Sequence, residues 1–416
     1  MTLKINKTVL IIFLLVFPFF PMKGLTFLGL RQFSYLYEVL KGIIVILLGL
    51  RLFIKGIRGG KKTGSVLVCM IGLSLVTYLS TYLNNGSFIH ATDRLLSLWG
   101  AFLIVEYGMG KKHETFIRGL CVTLNIIALI NLLGIFLFYS RGSLRDAGDF
   151  WLFGQKNSMK VFLMPCVAFN LIYDVHLGLR MSKRTILMTL IACFCVVIVK
   201  SATSSVVVLA MAMLFYAYRK WGFNKARLKV FVIVFLVLQV LIVGMRAIGV
   251  FSFVISRFLN RDLTLSGRIM IWDSALRGIR AHPLLGTGIQ ILEDSDLTTL
   301  SGSLFSQAHN VLLDALYKTG IVGLAFMVAL CVFALRGLKK GIGLPVCYII
   351  NVLLGSILIT GLVGDVWHFG FFAALFYASH VNDIEAIPAA LQSHRTDDVV
   401  PFKNRISGGE KYEQHG

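Results

Sequence analysis

Between Met245 and Ala281 the sequence places six arginines, Arg246, Arg257, Arg261, Arg268, Arg277 and Arg280, and no lysine. A guanidinium offers a planar fork of donors that fits phosphate oxygens two at a time, whereas an ammonium acts as a point charge. Arginine to the exclusion of lysine therefore points to an anionic, phosphate-bearing ligand. A second basic group, Arg141, Arg145, Lys156 and Lys160, precedes it in the chain. Downstream stands Gln307-Ala308-His309-Asn310. Taken alone, His309 reads as an imidazole bonded to a backbone carbonyl. None of His90, His282, His309 and His368 has a partner at metal-ligand spacing, so no metal site is expected.

Composition says what must position these groups. Of 416 residues, 57% are hydrophobic and 15% charged, against about a quarter charged in soluble domains, and mean hydropathy is +0.80. So few charges cannot cover soluble domains of this length, and an all-α, polytopic membrane bundle is expected. Apolar runs predict about 12 spans, at 8–23, 36–54, 64–83, 95–109, 119–140, 161–177, 185–199, 203–217, 230–247, 310–335, 343–361 and 368–380. The first lacks a small-residue cleavage site and reads as a retained anchor.

Net charge is +21, which in a soluble chain would suggest nucleic acid. Here 24 of the 41 basic residues fall on the side shared with the N-terminus, so most of the charge is an orientation signal. Both termini are expected in the cytoplasm, and nucleic acid is not expected as a partner. The chain then divides into nine spans over 1–247, an outer loop over 248–309, three spans over 310–380 and a loosely ordered cytoplasmic tail over 381–416. All seven cysteines fall within spans, where they behave as small apolar residues, so no disulfide framework is expected.

The outer loop is too long for a mere connection. Within it, residues 268–280 carry Ile269, Trp272, Leu276 and Ile279 on one helical stripe and Asp273, Arg277 and Arg280 beside it. This predicts an amphipathic helix lying at the interface, capped by Thr264 or Ser266 and ended by Pro283 with Gly286 and Gly288. The Gly-Thr-Gly reads as a turn rather than a phosphate cradle. Asp314 and Lys318 are spaced to pair on the helix that follows.

In this order, Ser266-Gly-Arg268, Trp272, Pro283, Gly286, Gly288, His309-Asn310, Leu313 and Gly320 resemble the C-terminal signature of the O-antigen ligase and polysaccharide polymerase family. The resemblance covers about 60 residues, 266–325, and Gly154-Gln-Lys156-Asn157 resembles the family's second motif. It implies a fold similar to the C-type membrane glycosyltransferases and metal-independent transfer at the outer face of the bacterial cytoplasmic membrane. The donor would be an oligosaccharide on undecaprenyl diphosphate. The acceptor would be another repeat unit for a polymerase, or a different glycolipid or wall polymer for a ligase. Other polysaccharide-assembly proteins are candidate partners, and no cofactor is implied.

His309 and Arg268 match the family's functional residues, His309 to orient or deprotonate the acceptor hydroxyl and Arg268 to hold the diphosphate. Arg145, Lys156, Arg277 and Arg280 are proposed as further diphosphate ligands from their charge and position, with Asn157, Trp272 and Asn310 in support. A lipid-linked oligosaccharide flippase is the rival class. Such a protein needs ionisable residues or broken helices at mid-membrane, and the buried charges read from the sequence are few: Lys41 can pair with Glu38, and Arg51, Asp174 and Glu106 lie near inner span ends.

Overall fold

The structure, a computed structural model, describes residues 6–55, 60–109, 113–139, 150–222, 226–244, 268–292, 295–297, 304–340 and 344–381. The chain divides into a unit of residues 1–382 and one of 383–416, and the second lies outside the described residues. Among the described residues the fold is helical, apart from one short hairpin. Helix α1 is Lys7–Val16, α2 Arg31–Lys55, α3 Gly60–Leu83, α4 Phe88–Met109 and α5 His113–Phe138. The hairpin β1 Phe150–Trp151 and β2 Gly154–Gln155 follows. Then come α6 Lys160–His176, α7 Lys183–Ile198, α8 Ala202–Trp221, α9 Leu228–Leu238 and α10 Arg268–Ala281. The last three are α11 Val311–Lys340, α12 Pro345–Thr360 and α13 Phe369–Ser379.

Local chemistry sets these ends. The Asn6 side chain accepts the Thr8 N–H to cap α1, and Ser182 accepts the Thr185 N–H to cap α7. Pro345 opens α12, where its missing N–H costs nothing. Helix α9 widens into a π-helical turn at Gln239–Gly244, a form that recurs at functional sites. Helix α6 runs through the middle of the bundle, with every residue from Phe162 to Val175 buried. Around it pack α5, α7, α12 and α13, while α11 lies against α3 and α10 against α11.

Among the described residues, six helical segments are long and apolar enough to cross a membrane: Gly64–Leu83, Phe88–Met109, His113–Phe138, Lys156–His176, Ala202–Trp221 and Val311–Leu338. Four further apolar helices are shorter. Large apolar side chains such as Ile46, Leu47, Phe53, Leu133 and Val328 face outward from the bundle, as lipid-facing surface requires. This is a multi-pass membrane protein.

Several charges placed within the bundle are paired. Lys41 meets Glu38 at 2.7 Å and Asp93 at 3.1 Å, Asp174 meets Arg184 at 2.7 Å, and Glu106 meets His380 at 2.7 Å. Pairing explains one difference from the apolar runs. Helix α4 begins at Phe88 rather than near 95, because Asp93 and Arg94 are satisfied by other helices instead of marking a solvated end. A second difference is the break in the run 310–335, where Gly320 takes φ 61°, ψ −166° and kinks α11.

Candidate functional site

The entry to α11 organises the site. The Asn310 side-chain oxygen accepts the N–H groups of Leu312 and Leu313, both at 3.1 Å, and so caps the helix. Its amide nitrogen donates to Gln239 Oε1 at 2.9 Å and to the Leu362 carbonyl at 3.0 Å, while Gln239 donates back at 3.0 Å. One side chain thus joins the π-helical turn, the cap of α11 and the loop after α12. Immediately before it, His309 is held at φ +49°, a left-handed conformation uncommon for a residue with a Cβ. Its ring stands edge-on to Phe305, with centroids 5.6 Å apart.

One turn into α11, Asp314 is 2% exposed and gathers three donor groups. Arg94 Nη2 reaches its carboxylate at 2.8 Å, and Lys318 Nζ reaches both oxygens at 2.9 and 3.1 Å. The Ala308 N–H donates at 3.1 Å, fixing the residue just before His309. Arg94 in turn lies over the Trp367 ring at 4.5 Å and approaches Asp365 Oδ2 at 3.8 Å, and its carbonyl accepts the Trp367 indole N–H at 2.7 Å. Asp365 Oδ1 accepts the Trp367 backbone N–H at 2.8 Å. His368 caps α13 through Nδ1, which accepts the Phe371 N–H at 3.4 Å.

Helix α10 brings Arg268 to this cluster. The helix is anchored by Ile271, Trp272 and Ala275, which pack with Val243, Leu297, Ala308, Leu313 and Tyr317. Ile269, Leu276 and Ile279 flank that contact, so the expected stripe faces the protein, centred one position further round. The chain then turns through Pro283–Gly288 onto the kink of α11. The Ile321 and Val322 N–H groups donate to the Pro283 and Leu284 carbonyls, and the Thr287 and Gly288 N–H groups to those of Tyr317 and Lys318. A Cβ on Gly320 would stand 2.2 Å from the Leu284 carbonyl oxygen, and one on Gly288 2.7 Å from Thr81 Cα. These glycines serve close backbone packing, in agreement with the reading of Gly-Thr-Gly as a turn.

Arg268, Asp314, Asp365 and Lys318 all act electrostatically on His309. Burial pushes the His309 imidazole down to about 4, and the neighbouring Arg268 cation pushes the same way, against Asp314 and Asp365. His368 is likewise held at about 4 by burial, with Asp365 opposing and Lys160 assisting. Both imidazoles are therefore neutral near pH 7, and a neutral imidazole can accept a proton.

The structure brings Arg268 and His309 together, with Asn310 and Trp272 fixing their elements. Asn157 sits in the turn before α6, where its side chain accepts from Ser201 Oγ at 2.9 Å and its carbonyl from Ser204 Oγ at 3.3 Å. It therefore ties that turn to the start of α8. Lys156 is partly buried in the same turn. Arg277 and Arg280 lie exposed on α10, Arg277 donating to Ser274 Oγ at 2.9 Å. Arg145 and the proposed caps Thr264 and Ser266 lie outside the described residues. Arg94, Asp365 and Trp367 belong to none of the sequence motifs, and Lys160 and His368 stand out in the sequence only as an outward base and an outward histidine. Among the described residues, no three His, Cys, Asp or Glu side chains stand together as a metal-binding group.

Comparison with protein families finds that residues 187–328 match the model described as O-antigen ligase. No curated protein matches the chain. The matched span starts in α7, ends within α11, and contains Arg268, Trp272, the Pro283–Gly288 turn, His309 and Asn310. It excludes Arg94, Lys160, Asp365 and His368. A multi-pass protein with such a segment is a membrane enzyme of polysaccharide assembly, of the glycosyltransferase type. The segment carrying Arg268 and His309 thus matches the O-antigen ligase family, as the order of its motifs implied.

Proposed function

We propose that the protein joins oligosaccharide repeat units carried on undecaprenyl diphosphate, at the outer face of the bacterial cytoplasmic membrane, by glycosyl transfer with inversion. The observation that carries this reading is the pairing of a neutral, half-buried His309 with Arg268 in one cluster. His309 accepts or orients the proton of an acceptor sugar hydroxyl, a task suited to an imidazole neutral at working pH. The hydroxyl oxygen attacks the anomeric carbon from the face opposite the diphosphate. The bond from that carbon to the diphosphate oxygen breaks and its electron pair leaves with the diphosphate. Arg268 stabilises the charge that grows there, an effect worth most where water is excluded. Arg145, Lys156, Arg277 and Arg280 are proposed to meet the same diphosphate, and Asn157, Trp272 and Asn310 to hold the elements that present the site.

The buried charges around His309 support an enzyme over a flippase, because they stand at one end of their helices. Lys160 opens α6, Asp314 lies in the first turn of α11 and Arg94 in the second turn of α4. The description of the matched family favours a second reading, in which the finished glycan passes to another glycolipid or wall polymer. Donor and residues would be the same in both.

Reconstituted vesicles supplied with a lipid-linked repeat unit test the proposal. Chain growth is expected from the wild type, and losses of about 10²-fold or more from His309→Ala and Arg268→Ala proteins of normal abundance. Full activity in either variant removes its assigned role. Movement of labelled lipid without chain growth would sink the transferase reading. Transfer to a foreign glycolipid, with no polymer formed, would establish the second reading.

A further inference from the structure

We infer that Lys160 is a further ligand of the donor's diphosphate, and that with Arg268 it makes the site select a diphosphate over a monophosphate. This rests on the glycosyl-transfer reading above. Lys160 lies outside the segment that matches the family, so its place here comes from its surroundings alone.

Lys160 is 5% exposed at the first residue of α6. Its ammonium projects across the loop after α12, so close that a Cβ on Gly364 would stand 3.3 Å from Nζ. Among the described residues this ammonium has no hydrogen-bond or ion-pair partner. The carboxylates of the cluster are engaged by other groups. Asp314 holds Arg94 and Lys318, and Asp365 holds the Trp367 N–H with Arg94 nearby. The charged groups acting on Lys160 are Arg268 and Asp365, and His368 is the imidazole near it.

A buried cation without an acceptor is costly, and folds keep such costs where a ligand relieves them. An ammonium carries three donors and no acceptor, so the relieving group must present anionic oxygens. Arg268 reaches the cluster from α10 and Lys160 from α6, two elements far apart in sequence that bring two cations to one place. A diphosphate offers two linked anionic centres, one for each. A monophosphate has one anionic centre and cannot meet Lys160 and Arg268 each with its own.

The test uses the full chain in lipid nanodiscs, with undecaprenyl diphosphate and undecaprenyl monophosphate as probes. The wild type is expected to bind the diphosphate more tightly. Lys160→Met should weaken diphosphate binding by about tenfold or more, the worth of a hydrogen bond to a charged group, and should change monophosphate binding far less. Without ligand, the thermal midpoint of Lys160→Met should equal or exceed that of the wild type, because the substitution removes an uncompensated buried charge. Lys160→Arg, which keeps the charge, should retain most of the preference for diphosphate.

Diphosphate binding by Lys160→Met within about threefold of wild type overturns the inference and leaves the transfer reading standing. A lowered midpoint, or a Lys160→Met chain that fails to accumulate, would make Lys160 a structural residue and also overturns it. A wild type that binds both probes equally removes the claim of selectivity. A wild type that binds neither removes the transfer reading itself.

Discussion

Replacing Asp314 with Asn keeps the shape of the side chain and removes its charge, at a position where that charge holds three segments. The carboxylate is 2% exposed and accepts from Arg94 at 2.8 Å, Lys318 at 2.9 Å and the Ala308 N–H at 3.1 Å. An amide oxygen can keep the Ala308 bond, but the amide NH₂ then meets a cation, donor against donor. Breaking a buried ion pair by removing one partner costs about 3–5 kcal/mol, against about 1 kcal/mol for an ordinary hydrogen bond. Two cations lose their anion here, which argues for the upper end of that range. Arg94 keeps the Trp367 face and Asp365 at 3.8 Å, which argues for the lower. The expected loss is therefore about 3–5 kcal/mol, read from equilibrium unfolding in mixed detergent micelles. Lys318→Met is the milder comparison, since Asp314 then retains Arg94 and the backbone donor. Chain growth should also fall by more than unfolding explains, because the Ala308 anchor immediately precedes His309 and displacements of about 1 Å can cost about 10² in rate. An Asp314→Asn protein within about 1 kcal/mol of wild type and fully active would refute the view that this network positions the histidine.

Two further outcomes are expected. Chain growth by the wild type should be level from neutral pH downward and fall only as pH passes through about 4, where burial and Arg268 hold His309. The neutral imidazole is the active form and Lys318 also disfavours its protonation. Lys318→Met should therefore raise the His309 pKa and move the acid limb of the pH–rate profile upward; a wild-type limb near 6.5 would mean the ring is solvated. Gly320→Ala should abolish accumulation in the membrane. Its φ 61°, ψ −166° belongs to a region open essentially to glycine, and the new Cβ would stand 2.2 Å from the Leu284 carbonyl oxygen. Wild-type abundance of that variant would show that the kink can relax.

What the sequence could disclose was what lies close along the chain. Arg268 to Ala281 reads as a helix because its apolar residues recur at helical spacing before Pro283. Asp314 and Lys318 read as a pair because they are four apart on one helix. Arg94 could not be read in this way, since its partner Asp314 lies 220 positions away. A charge at the edge of an apolar run is ordinarily a solvated boundary or an orientation signal, and Arg94 and Lys160 stand at such edges. The hydropathy pattern cannot distinguish that charge from one turned into the bundle, because the two differ only in what long-range packing sets opposite them. Arg94 is resolved by Asp314 and Trp367, and its helix therefore starts at Phe88, ahead of the apolar run. Lys160 is brought into the bundle with no such partner, and this difference between two cations at similar sequence edges separates a structural charge from one available to a ligand.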